Sequence, residues 1–340
     1  MDLKKNIFIG IAYAFIHFSV EVASFFLLFS RISHSPYWWV LALLFDAVAF
    51  IPQGMIGIIQ DKYPRLNIGV LGSIFMISAL LIKNDPLALV IIALGNALVH
   101  VSGAQHTLRG TRGKITPNAI FIGAGSFGVI TGQLLGTASP VGALAIPLIL
   151  MLLSGMIMFF IQKKNKIEDK DMGFHISANM NNYIIVMLTF FGVAVRGYVA
   201  YAIPTEWNKT VGQTVMLFVC MGIGKMLGGI LSDSVGFRKL TAFSLLGGLP
   251  FLLFGNTNMV LSLIGITLFS MTMPVTVAIL ASEFTEHPGF AFGITTVALF
   301  VGTAPAFFIT PESLLSHQLL VLILTVVAFP AISICIKRGK

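Results

Sequence analysis

Charge is what this sequence has least of. Only 10% of its 340 residues are Asp, Glu, Lys or Arg, against about 25% in soluble domains. A surface of ordinary size facing water cannot be built from so few, and with 56% hydrophobic residues the chain is an integral membrane protein. Acids are scarcer than bases, 13 against 21, yet this excess does not point to nucleic acid: the bases sit in short loops between apolar runs, not on one polar face. Cysteine is nearly absent, and Cys220 and Cys335 fall in separate apolar segments without metal-ligand spacing, so they read as small packing residues. Tryptophan occurs 3 times and phenylalanine 29 times, the balance of helices that face lipid. There is no His-Glu-x-x-His set and no phosphate-cradling glycine loop with its lysine, which leaves a zinc protease, and ATP-driven transport by this chain alone, without support. No cofactor, metal site or enzymatic activity is expected.

What the chain does contain is twelve apolar runs, near 7–30, 37–59, 66–82, 86–106, 117–138, 141–162, 183–203, 211–232, 240–254, 258–282, 288–309 and 316–336. Each approaches the roughly 20 residues a membrane helix needs. The first follows Lys4 and Lys5 like a signal peptide, but it runs on through Glu21 with no small-residue cleavage site, so it reads as a membrane helix. With the N-terminus in the cytoplasm, sixteen lysines and arginines fall on the cytoplasmic side and three (Arg31, Lys83, Lys209) on the other. That bias supports an even helix number and an inner, plasma-type membrane with both termini inside. The one sizeable polar stretch, 163–182, carries Lys163, Lys164, Lys166 and Lys170. Its charge density predicts a solvated cytoplasmic linker between a bundle of six helices over 1–162 and another over 183–340. One such chain can form a complete site as a monomer.

Two stretches echo each other across these halves. Gly57, Asp61, Lys62 and Arg65 close the second run, and Gly229, Asp233, Gly236 and Arg238 close the eighth, with the aspartates 172 residues apart. An interval of half the chain suggests an internal repeat. The pattern resembles Gly-x-x-x-Asp-(Arg/Lys)-x-Gly-Arg-(Arg/Lys), the loop motif after the second helix of major facilitator superfamily transporters, with its copy after the eighth. Here Pro64 stands where the first copy usually has glycine, and Ser234 where the second usually has a base. The resemblance covers the whole chain. It implies two pseudo-symmetric bundles of six helices that open alternately to each side, with Asp61 and Arg65, and Asp233 and Arg238, gating the cytoplasmic end by ion pairs and helix caps.

Charges also occur inside the runs. Glu21, Asp46, Arg196 and Lys225 each lie near a helix midpoint, where a charge costs at least about 2.5–3.5 kcal/mol. With two acids in one half and two bases in the other, they serve either a cavity for substrate and protons or a salt bridge across the halves. His17 and Glu21, with Ser24, share one helix face, a pair able to take up and release a proton. Asp46 and Gln53 share a face of the second helix and Asn96 and His100 a face of the fourth, as substrate contacts or as bonds between helices. Gly128, Gly132 and Gly136 recur every four residues in the fifth, a spacing that lets helix backbones approach closely. They partly resemble the glycine motif of the superfamily's drug/proton antiporters, with Gln133 in place of its proline.

Within the superfamily, His17 beside an acid, the stretch Gly95–His100 and Arg196 look most like the fosmidomycin-resistance branch of efflux proteins. The resemblance implies proton-coupled export of a small anionic or zwitterionic metabolite or drug. Glu21 or Asp46 would carry the proton, and Arg196 and Lys225 would attract the anion. Proton-independent uptake or exchange of an organic anion, and a transporter-like sensor that moves nothing, are the alternatives.

Overall fold

A computed structural model describes residues 3–109, 111–164, 172–203, 205–308 and 314–338, and among these the chain is a bundle of helices. In chain order the spans are α1 (Leu3–Leu27, extended by a π-helical turn, Leu28–Ile32), α2 (Trp38–Lys62), α3 (Ile68–Leu81), α4 (Asp85–Leu108), α5 (Thr116–Ala138) and α6 (Ala145–Lys164). The second half has α7 (Asn182–Ala202), α8 (Val211–Val235), α9 (Phe237–Phe254), α10 (Met259–Glu283), α11 (Pro288–Thr303, with a 3-10 turn, Ala304–Phe307) and α12 (Leu314–Ile334). Eleven are long and apolar enough to cross a membrane, and α3 is a shorter apolar helix. All twelve predicted runs are helices.

The few polar residues in the breaks explain how the helices start. Asn67, Asn84, Asn181 and Asn258 each stand just before a helix, and their side-chain oxygens accept the N–H of Val70, Leu87, Tyr183 and Leu261. Thr210 and Gln213 form a reciprocal capping box at α8. Each cap satisfies donors that the first helical turn leaves open, so very short loops suffice. Prolines place the bends. α2 turns at Ile51–Pro52, and α10 is jointed at Met271 just ahead of Pro274, because the ring removes a helical hydrogen bond and crowds the preceding turn.

Packing repeats between the halves. In the first, α1 packs on α4, α5 and α6, α3 on α4 and α6, and α2 on α4. In the second, α7 packs on α10, α11 and α12, α9 on α10 and α12, and α8 on α10. Adding six to each helix number converts one set into the other. The main contacts between halves, α2 on α11 and α5 on α8, exchange under the same operation. This is a twelve-helix fold of two pseudo-symmetric bundles.

The predicted solvated stretch needs correction. Residues 165–171 lie outside the described part, but 172–180 is not a freely solvated linker: it has one exposed face, with His175 and Asn179, and one buried face. Met172, Phe174 and Ile176 are fully or almost fully buried, alternating along an extended strap. The strap is tied to Gly113 through the Met172 carbonyl, to Thr285 through the Met172 N–H, and to Ser282 through the N–H groups of Ile176 and Ser177. It is also tied to the residues just after α12, where the Ala178 N–H donates to the Cys335 carbonyl and the Lys337 N–H to the Ile176 carbonyl. An apolar residue at every second position gives an extended segment one buried face, and that periodicity outweighs the charge upstream.

Candidate functional site

Both copies of the loop motif supply a helix cap to the opposite half. The Asp61 carboxylate accepts the backbone N–H of Gly289 (3.0 Å) and Phe290 (2.9 Å), in the first turn of α11. The Asp233 carboxylate accepts those of Ile115 (3.0 Å) and Thr116 (2.9 Å), and the Thr116 hydroxyl (2.7 Å), at the start of α5. Those N–H groups have no partner within their own helix, and they mark the positive end of its dipole. The motif glycines allow the approach: a Cβ on Gly57 would fall on the Gly289 carbonyl, and one on Gly229 would overlap Ala119.

The basic partners differ from those expected. Among the described residues, neither Arg65 nor Arg238 forms an ion pair with these aspartates. Arg109, at the end of α4, does so with Asp61 (Nη2–Oδ1 3.7 Å). Burial holds the Arg109 guanidinium below its ordinary pKa, and the Asp61 carboxylate opposes that shift. Lys114 Nζ donates to the Asp233 carbonyl (3.4 Å), and Lys62 lies over the Tyr63 ring. Pro64 and Gly236 explain the difference between the copies. Gly236 takes φ 97°, open to glycine, and joins α8 to α9 in one residue. Proline is held near −65°, so the first loop runs over 63–67 and leaves Arg65 exposed.

Deeper in, four predicted residues form one cluster. His17 Nε2 and His100 Nε2 are 2.8 Å apart, and both face Glu21 Oε1, at 3.4 and 3.3 Å. Asn96 Nδ2 reaches Glu21 Oε1 (3.4 Å) and Ser24 Oγ (3.1 Å). His17 Nδ1 is bonded to the Phe121 carbonyl (2.7 Å) and His100 Nδ1 to the Asn96 carbonyl (2.9 Å). All four are buried. Gly128, Gly132 and Gly136 seat α5 against the backbone of α1 around this cluster, and a Cβ on Gly125 would strike the His17 ring. At 1.5 Å per residue, His100 and Asn96 lie about 12 and 18 Å in from the motif end of α4, near the middle of a core of about 30 Å.

The second half contributes bases at a similar depth. Arg196 on α7 is 7% exposed, and its Nε and Nη2 have no hydrogen-bond partner. Lys225 on α8 crosses to α5, where Nζ donates to Ser126 Oγ (2.9 Å). Asp46 is half-buried on α2, and Gln53 turns its amide back to the Ala49 carbonyl (2.8 Å). Among the described residues Glu21, Asp46, Arg196 and Lys225 form no ion pair with one another. The salt bridge across the halves is therefore absent. Glu21 is instead taken by two histidines, while the Arg196 donors are left open. Arg109 and the strap residues are the parts sequence reasoning missed; the alternation Met172, Phe174, Ile176 was the available signal for the strap.

No family model matches the chain, and no curated protein matches its sequence. Solved structures do match in shape. The outward-conformation structure of FucP, a major facilitator superfamily transporter, superposes with a TM-score of 0.67 at 13% identity, covering 97% of this chain and 99% of that one. A structure of the same E. coli fucose:proton symporter gives 0.67 at 15% identity over 98% and 100%. The human organic anion transporter MFSD10 gives 0.72 at 12% identity over 98% and 100%. The chain has the major facilitator fold. At these identities the likeness is one of architecture, and within it Lys225 of the second half lies in electrostatic reach of Glu21 of the first.

Proposed function

We infer that this chain is a secondary transporter, moving a small organic anion or zwitterion by alternating access in exchange for protons. The observation that carries the reading is Arg196. Buried polar groups are nearly always partnered, and a guanidinium with two open donors near the middle of a membrane is costly unless something anionic fills them. A carboxylate or phosphonate matches its planar fork, and Lys225 adds a second positive charge nearby. The described relatives in shape act on a sugar with protons and on organic anions, so the fold accommodates both parts of the proposal.

In this reading the halves, 1–162 and 183–340, rock about the site, with 163–182 connecting them. The capped and glycine-packed motif end is the cytoplasmic end. Held together as it is here, it corresponds to an outward-facing state. The strong bias of basic residues supports an inner membrane with both termini in the cytoplasm, and one chain carries both halves of the site, as a monomer requires. Export follows from the resemblance to the fosmidomycin-resistance branch.

A thermal-shift screen of the detergent-purified protein tests the anion claim. Anionic and zwitterionic compounds should raise the melting temperature, with a ligand at 100 times its Kd adding about 2.7 kcal/mol, and Arg196→Gln should abolish that rise. Stabilisation by cations alone, undiminished in Arg196→Gln, would overturn the assignment.

A further inference from the structure

The two histidines constrain their own protonation. A carbonyl oxygen can only accept, so the Phe121 and Asn96 carbonyls hold His17 Nδ1 and His100 Nδ1 as N–H. A neutral imidazole carries one hydrogen, so each ring then has a bare lone pair on Nε2. Those lone pairs face each other across 2.8 Å, with the Glu21 oxygen 3.3–3.4 Å from both. Three acceptors with no hydrogen between them would repel. One proton on either Nε2 turns the repulsion into an N–H···N bond beside a carboxylate, and balances the Glu21 charge. A second proton would set two N–H groups against each other and open the pair.

We propose that His17, His100 and Glu21 form a single proton site that holds one shared proton between the two imidazoles, with Glu21 as its counter-charge. The three ligand atoms are close enough together to hold a metal ion, but the spacing of the two histidine nitrogens is that of a shared proton. Bonds of about 2.0–2.1 Å to a tetrahedral metal would hold the nitrogens about 3.3 Å apart, whereas 2.8 Å is a hydrogen-bond length. The surroundings keep the site isolated. α3, α5 and α11 have no ionisable side chain, and α6 has none before Lys163. The groups that act on the cluster are Asp46 and Lys225, both in electrostatic reach of Glu21, with Tyr13 and His106 stacked beyond His17 and Arg196 next to Lys225.

The site answers which group carries the proton: the imidazole pair does, and Glu21 and Asp46 set its field. Losing the proton leaves three facing acceptors, so the empty site favours a wider separation of the His17, His100 and Glu21 side chains. Its part in transport rests on the proton-coupled reading, whereas its existence does not.

Nitrogen NMR of the full chain, labelled with [15N]histidine in lipid nanodiscs, reads the site directly. Replacing the peripheral His34, His175, His287 and His317 with Gln leaves the signals of the pair and of His106 without disturbing the cluster. At neutral pH both Nδ1 atoms of the pair should be protonated, and both Nε2 signals should lie between the protonated and bare positions. Glu21→Gln should move both rings together. Two independent neutral rings, or an Nδ1 found bare, would overturn the proposal. So would a stoichiometric metal in the purified protein whose removal by chelator changes these signals. Because the spectrum needs no substrate, a protein that shows the shared proton but binds no anion would sink the transport reading and leave the site standing.

Discussion

Asp61 and Phe290 are 229 positions apart in the chain, yet the carboxylate of one accepts the backbone N–H of the other at 2.9 Å. Asp233 makes the same contact, through Thr116, in the opposite direction. The repeated motif is thus a reciprocal pair of helix caps, each half closing the first turn of a helix in the other. Losing a cap costs about 0.5–2 kcal/mol, enough to change a two-state population by a factor of about 5–30 at the upper end. Asp61→Ala and Asp233→Ala should each shift the protein away from the state closed at the motif end. Distances between spin labels on the motif ends of α2 and α11 would report this as a new, longer component.

The glycine beneath each cap should matter more than the cap. A methyl group at Gly57 would strike the Gly289 and Phe290 backbone, and backbone cannot step aside as a flexible side chain can. Gly57→Ala should therefore open the motif end further than Asp61→Ala does in the same spin-label experiment. Gly212→Ala, which meets nothing within 4 Å, should change nothing.

Arg196→Gln should stabilise the ligand-free protein while removing its response to anions. Neutralising a buried guanidinium with open donors relieves a desolvation cost, so the melting temperature should rise without ligand. A structural arginine would give the reverse, a lower melting temperature.

The strap predicts a stability effect far from the site. Phe174 is fully buried, and truncating a buried phenylalanine costs about 3–5 kcal/mol, so Phe174→Ala should lower the melting temperature sharply. The strap also binds the Cys335 backbone, its Ala178 N–H donating to the Cys335 carbonyl, and burial pushes the Cys335 thiol to a higher pKa and thus away from the reactive thiolate. Maleimide should label partly exposed Cys220 and spare Cys335, and Phe174→Ala should make Cys335 reactive.

The architecture was legible because membrane helices advertise themselves. A run near 20 apolar residues between basic loops has few other readings, and the spacing of Asp61 and Asp233 exposed the repeat. The contents of the site were legible as a list, and as pairings within a helix, but not as pairings between helices. Glu21, His17, Asn96 and His100 stood out as polar residues in apolar helices, yet nothing in a uniformly apolar helix says which face meets which neighbour. The spacing of His17 and Glu21 already paired them; packing of α1 on α4 added His100 and Asn96 to that pair. Of the two readings of the buried charges, the salt bridge to Arg196 or Lys225 is the one not formed. Arg109 hid among loop bases because topology already accounted for it.

Tracer counterflow across proteoliposomes tests the central claim most directly. Vesicles would be loaded with an excess of an anion that stabilises the protein, with a trace of the labelled anion outside. A transporter that opens alternately to each side should accumulate the label transiently, the Arg196→Gln variant should not, and an imposed pH gradient should change the extent. Binding of the anion with no counterflow in the wild-type protein would contradict the account and make this chain a sensor built on a transporter's fold.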